Sequence, residues 1–159
     1  PKKLAKTTVE KLVNCGLGYR APYLLEVARR VAEDTLDLER LRKNSYEEVR
    51  RQLTTLPGVG DKVADCVALF SLDKLEAFPV DVWIRRILTE HYRSYLPHLM
   101  NPCHSLTPRQ YREANTFGRR YFGRYAGYAQ QYLFTYHSTT LKREWKGSCG
   151  NRPETGIYE

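Results

Sequence analysis

Two side chains in this sequence are of the right kind to do covalent chemistry together: the primary amine of Lys62 and the carboxylate of Asp81, 19 positions apart (81 − 62). A lysine is a nucleophile only as its neutral amine. Lys62 falls at the expected start of a helix, where the partial positive charge of the helix end disfavours the ammonium form. Asp81 opens a second expected helix, Val82 to Tyr92. A carboxylate there can cap the first turn, which stabilises a helix by roughly 0.5–2 kcal/mol. Capping also fixes its direction, so that it can stabilise positive charge developing on a neighbouring group. Taken singly, each residue has an ordinary reading, a solvated surface amine and a helix cap. The surrounding sequence decides between the readings.

Lys62 follows Leu56-Pro57-Gly58-Val59-Gly60, a five-residue turn between two expected helices. Ser45 to Thr54 reads as the first helix, opened by a Ser45-x-x-Glu48 capping box. Val63 to Leu72 reads as the second, with Val63, Cys66, Val67 and Phe70 as its apolar face. Pro57 fixes one backbone angle, while Gly58 and Gly60 can take positive φ and bring bare backbone close to a partner. Free amides at such a helix start are an anion site, and a nucleic-acid phosphate is the obvious anion.

The string Leu-Pro-Gly-Val-Gly-x-Lys-Val-Ala-Asp-Cys, followed by Phe78-Pro79-Val80-Asp81-Val82, resembles the helix–hairpin–helix DNA glycosylases, and within them the 8-oxoguanine DNA glycosylase branch. The similarity includes Gly16-Leu17-Gly18-Tyr19-Arg20-Ala21 and Tyr125-Ala126-Gly127-Tyr128-Ala129-Gln130, and runs over roughly residues 12 to 138. It implies an all-α helix–hairpin–helix domain, with Lys62 as a Schiff-base nucleophile and Asp81 as its carboxylate partner. Tyr19 and Arg20 would enter the duplex and contact the base left behind; Tyr can wedge a base step and Arg can bond a cytosine edge. Gln130 and Phe134, four residues apart on one helical face, would form the base pocket, with Phe134 and Cys66 gripping opposite faces of the extruded base. Gly58, Gly60, Val63 and Trp83 would lie against DNA. Trp83 departs from the His usual here in eukaryotic members, so it can stack or donate an indole N–H but cannot supply a cation. The resemblance also implies a structural Na⁺ or K⁺ on the backbone carbonyls of Thr54, Leu56 and Val59, and gives Asp65 no catalytic part, so Asp65 reads as structural.

The composition agrees with a polyanion partner. The net charge is +8 and there are 12 Tyr; cations release counterions from phosphates and aromatics stack on bases. Cys15, Cys66, Cys103 and Cys149 are widely spaced, with no Cys-x-x-Cys. That gives no support for zinc or an iron–sulfur cluster, unlike the clustered cysteines usual in the endonuclease III branch, and no further cofactor is implied. A reducing compartment follows as the simplest assignment: the cytoplasm and its nucleoid in a bacterium, the nucleus in a eukaryote. No apolar run approaches the ~20 residues that span a bilayer, and no signal-peptide pattern opens the chain.

In chain order, the expected helices are Lys6 to Asn14, ended by Gly16; Pro22 to about Glu33, with Leu24, Leu25, Val27, Ala28 and Val31 facing the core; the two hairpin helices; Val82 to Tyr92; Thr107-Pro108 to about Phe122; and Gly127 to Tyr136. Arg109, Arg112, Arg119, Arg120 and Arg124 suggest a basic, backbone-binding face. For Arg85 and Arg86, backbone contact and plain solvation stay equally open. Tyr95 to Leu106, with His98 and His104, reads as irregular. The expected organisation is one catalytic domain over 1–141, hairpin at 54–66, and a polar tail over 142–159. The β-rich N-terminal domain of longer family members has no counterpart here, and the start at Pro1 with Met100 as the sole Met reads as a piece of a longer product. The resulting expectation is a monomeric bifunctional glycosylase and lyase acting on 8-oxoguanine opposite cytosine in duplex DNA. Two alternatives remain open: the same fold acting on another damaged purine, and a helix–hairpin–helix module that grips DNA without chemistry.

Overall fold

The computed structural model describes residues 1–97 and 106–140, with backbone alone for 138–140. His98, Cys103, His104, Cys149 and the expected tail lie outside the described residues. The described residues are helical, with no strand among them. In order the helices are α1 (Lys2–Ala5), α2 (Val9–Leu12), α3 (Ala21–Ala32), α4 (Leu38–Lys43), α5 (Tyr46–Leu53), α6 (Asp61–Ser71), α7 (Val82–His91), α8 (Pro108–Phe122) and α9 (Ala126–Thr140). Their starts are written in short polar side chains. Thr8, Asp37, Ser45, Asp81 and Thr107 each accept the amide three residues on, at α2, α4, α5, α7 and α8 respectively.

Apolar burial falls into two main clusters. One joins α4, α5, the hairpin and α6 through Leu41, Val49, Leu53, Leu56, Ala64 and Ala68. The other joins α7, α8 and α9 through Phe78, Ile84, Leu88, Ala114 and Ala126. A smaller cluster of Leu12, Ala21 and Leu25 seats α2 on α3. The connection through Ala77 and Phe78 carries the chain from the first main cluster into the second. Close approach is needed at two glycines of this second half. A Cβ on Gly118 would stand 2.3 Å from the Phe78 ring, and one on Gly127 would stand 2.2 Å from Leu69.

Four local expectations are corrected. The predicted first helix begins later, because Thr8 caps it and Lys2–Ala5 forms its own turn; Gly16, at φ +86°, does break the helical backbone. The Ser45–Glu48 capping box is half made: Ser45 accepts the Glu48 amide at 3.3 Å, but the Glu48 carboxylate turns to Arg51 and Gln52. The full box is at Thr107 and Gln110. In α6 the buried face is Ala64, Asp65, Ala68 and Leu69, whereas Val63 and Phe70 are exposed. Leu24 in α3 is likewise exposed while Leu25 and Ala28 are buried. Both errors have one cause. A periodic pattern sets the width of an apolar stripe but not its rotation when small or polar residues occupy the contact side.

Candidate active site at the hairpin

The turn between α5 and α6 is held by its own backbone and by the core. The Leu56 amide donates to the Leu53 carbonyl at 3.0 Å, and the Val59 amide to the Leu56 carbonyl at 3.2 Å. Leu56 is buried and Val59 packs against the first cluster. Gly58 has φ +76°, and a Cβ there would meet the Tyr23 ring at 2.4 Å, so both conformation and space require glycine. Gly60 differs from the expectation. It sits at φ −86°, ψ 178° as the N-cap of α6, with open space where a Cβ would be. No side chain caps α6. Its first amides therefore face outward without the side-chain oxygen that serves α5, α7 and α8.

Lys62 stands in the first turn of α6 and is exposed. Asp81 is half-buried at the head of α7, where its Oδ1 accepts the Ile84 amide at 2.7 Å. The two meet electrostatically at Cys66, one turn beyond Lys62. Burial pushes the Cys66 thiol above its ordinary value; the Lys62 ammonium pulls it down, and the Asp65 and Asp81 carboxylates push it further up. The half-buried Cys66 thiol thus feels both charges, and Lys62, four residues before it, shares its face of α6.

The remaining candidates are distributed around this pair. Tyr19 and Arg20 occupy a short helical turn just before α3; Tyr19 is 67% exposed, and the Arg20 guanidinium lies 4.6 Å from the centre of its ring. Tyr23, four residues after Tyr19, is the residue packed on Gly58 of the hairpin. Phe134 packs against the second cluster. Gln130 is only 5% exposed, and its carboxamide oxygen accepts from the Gln131 side chain. Trp83 faces α9, edge to face with His137 at 5.4 Å, and carries the Arg86 guanidinium 4.8 Å from its ring centre. Arg85, for which a solvated face was open, is buried. The basic face of α8 is smaller than its sequence suggests. Arg119 pairs with Glu47 at 2.8 Å and lies over Tyr46, and Arg109 pairs with Glu113 at 3.0 Å. Arg112 and Arg120 flank a groove of about 610 Å³ between α8 and the segment Tyr95 to Pro97.

With this geometry in place, residues 1–114 match the family described as HhH-GPD superfamily base excision DNA repair protein. The chain belongs to that superfamily. Its HhH-GPD sequence is 43% identical over 125 residues to a protein of Methanothermobacter thermautotrophicus named as a probable N-glycosylase/DNA lyase, covering 79% of this chain and 36% of that protein. It is 34% identical over 173 residues to an N-glycosylase/DNA lyase of Saccharomyces cerevisiae, covering 89% of this chain and 46% of that one. The HhH-GPD fold superposes on the 8-oxoguanine glycosylase/lyase of Clostridium acetobutylicum, solved with double-stranded DNA containing cytosine opposite 8-oxoguanine, with a TM-score of 0.72 and 35% identity over 86% of this chain and 43% of that one. MBOgg1 bound to a low-affinity DNA ligand gives a TM-score of 0.76 and 37% identity, over 89% of this chain and 45% of that one. The chain spans less than half the length of each of these relatives.

Two further groups carry more than their sequence announced. Asp65, read as structural, is fully buried and accepts from Tyr46, Tyr111 and Asn115, residues 19 to 50 positions away. His137 is 3% exposed, and neither ring nitrogen has a hydrogen-bond partner among the described residues. No local pattern points to either. The sole hint for Asp65 is a carboxylate inside an otherwise apolar Val63 to Phe70 run.

Proposed function

We propose that this chain is the catalytic domain of a bifunctional base excision repair enzyme, one that removes 8-oxoguanine opposite cytosine from duplex DNA and then nicks the strand at the abasic sugar. What supports the proposal most is the placement of Lys62 and Asp81 at the starts of two helices, with the charge of each felt at the Cys66 thiol. A module that only grips DNA needs the hairpin amides but not this pairing. The relatives named above as glycosylases and lyases support the chemistry and the lesion.

The target nucleotide leaves the stack, since its C1′ is unreachable inside the duplex. Tyr19 and Arg20 hold the gap. Arg20 leaves the Tyr19 ring to donate to the orphaned cytosine. Gln130 reads the base edge after Gln131 releases its carboxamide, while Phe134 and Cys66 contact the two faces. The neutral Lys62 amine attacks C1′ as the N-glycosidic bond breaks. The bond electrons leave with the base, which gains a proton, and the amine loses one. Asp81, held by the Ile84 amide, stabilises the positive charge that develops on the sugar. Opening of the sugar ring gives a Lys62 imine, which acidifies the C2′ proton. Its removal expels the 3′ phosphate, and water then releases the lysine.

The hairpin binds the backbone beside this site through the outward amides of α6, with Gly58, Gly60, Val63 and Trp83 against DNA. The carbonyls of Thr54 and Val59 accept no backbone amide among the described residues, and that of Leu56 accepts one. Three such oxygens suit a hard cation. Na⁺ or K⁺ held there would supply positive charge toward a DNA phosphate.

The test is trapping. A duplex with 8-oxoguanine opposite cytosine, incubated with the chain and borohydride, yields a covalent adduct with wild type and none with Lys62→Gln. Equal adducts from both proteins remove Lys62 as the nucleophile. Gln130→Ala separates lesions: it lowers excision of 8-oxoguanine, whereas undiminished excision assigns the pocket to another base.

A further inference from the structure

Asp65 lies one turn after Lys62 in α6, pointing away from solvent into the seam between the two main clusters. Its Oδ1 accepts the Tyr46 hydroxyl at 2.6 Å. Its Oδ2 accepts the Tyr111 hydroxyl at 2.5 Å and the Asn115 amide at 3.0 Å, both from α8. Arg50 lies 3.4 Å from Asp65 Oδ1 and 3.0 Å from Asp61 Oδ1, at the first position of the same helix. The two α8 residues are also tied to the segment just before Asp81. The Val80 amide donates to the Tyr111 hydroxyl at 3.4 Å, and the Asn115 amide group donates to the Phe78 carbonyl at 3.0 Å. A chain of hydrogen bonds therefore runs from the Lys62 helix, through one carboxylate and two α8 side chains, to the residue preceding Asp81.

We propose that Asp65, acting through Tyr111 and Asn115, is a positioning residue that sets the Lys62 amine against the Asp81 carboxylate. Apolar contacts between the clusters are non-directional and tolerate small slips of one half against the other. The bonds of 2.5–3.0 Å to Asp65 do not, and a buried carboxylate is costly enough before its partners are counted to be a poor choice for stability alone. The reaction proposed above is sensitive to such slips, since misplacement of reacting groups by about 1 Å can reduce a rate about 100-fold. The inference rests on that reaction, but the geometry it names exists without it.

Two phenylalanine substitutions test it. Tyr46→Phe and Tyr111→Phe each delete one buried hydroxyl from Asp65 at nearly equal distance; the Tyr46 hydroxyl also accepts from Asn115 at 3.2 Å, which keeps its bond to Phe78 in that variant, and only Tyr111 holds Val80 directly. Both variants are expected to lose similar thermal stability. Tyr111→Phe lowers the single-turnover excision rate on 8-oxoguanine duplex about tenfold, leaves DNA affinity unchanged, and accelerates amide exchange at Val80 and Ile84. Tyr46→Phe keeps the rate within about twofold and leaves those amides protected. Equal rate losses that follow the stability losses, or equal exchange at Val80 and Ile84 in both variants, overturn the inference. If wild type forms no borohydride adduct, the proposed reaction fails instead. The exchange measurement then decides the inference without it.

Discussion

The two halves of the site present their reactive groups in opposite ways. On the hairpin side, α6 has no side-chain cap, and Lys62 projects into solvent from an open helix start. On the other side, Asp81 is the cap of α7, half-buried and fixed by a 2.7 Å bond from Ile84. One half supplies freedom and the other fixes a direction. That division suits the reaction proposed above, in which the amine would attack and travel with a ring-opened sugar beside a carboxylate that serves best when immobile. It also separates the proposed anion-binding surface, with its uncovered amides at α6, from the proposed charge-stabilising Asp81, which takes up one amide of α7.

The sharpest break of this comparison is Asp81→Asn. Asn caps a helix about as well as Asp, so thermal stability is expected to change little, while single-turnover excision falls about 100-fold or more. A fall in stability that matches the fall in rate would make Asp81 a cap and nothing else. Next in size is the contrast between the hairpin glycines. Gly58→Ala meets both φ +76° and the Tyr23 ring, and should lose about 1–3 kcal/mol in denaturant unfolding together with DNA affinity. Gly60→Ala, at φ −86° with nothing within 4 Å, should lose under about 1 kcal/mol. Equal losses would show that the turn does not depend on the left-handed position.

The smallest effect is read at Cys66, in a chain whose other three cysteines are replaced by serine. Burial places its thiolate formation above the ordinary range, so alkylation rises late with pH. Lys62→Gln removes a cation that favours the thiolate, and the midpoint of alkylation moves to higher pH. Asp81→Asn removes a repelling carboxylate, and the midpoint moves to lower pH. Opposite displacements place both groups beside one sulfur; a midpoint indifferent to either substitution separates that group from the site.

Much of the helical frame was legible because its signals are local. Ser45, Asp81 and Thr107 mark starts, Gly16 marks an end, and the hairpin string fixes the turn, each within a few residues of the feature it controls. The pairing of Arg119 on α8 was not legible for the complementary reason. Glu47, which takes up Arg119, is 72 positions away in sequence. Gln130 posed the same difficulty: its place on a helical face was readable, but its burial depends on how α9 packs on α7.

By itself, then, the sequence determined where α5, α7 and α8 begin, where the chain must turn on Gly58, and which amine and carboxylate stand at the heads of α6 and α7. Tertiary structure alone decided which way α6 is rotated, turning Asp65 inward and Val63 and Phe70 outward, and set Trp83 against His137. Caps and turns are satisfied by neighbours along the chain, whereas the rotation of a helix is chosen by partners such as Tyr111 and Asn115 that only folding brings within 3 Å.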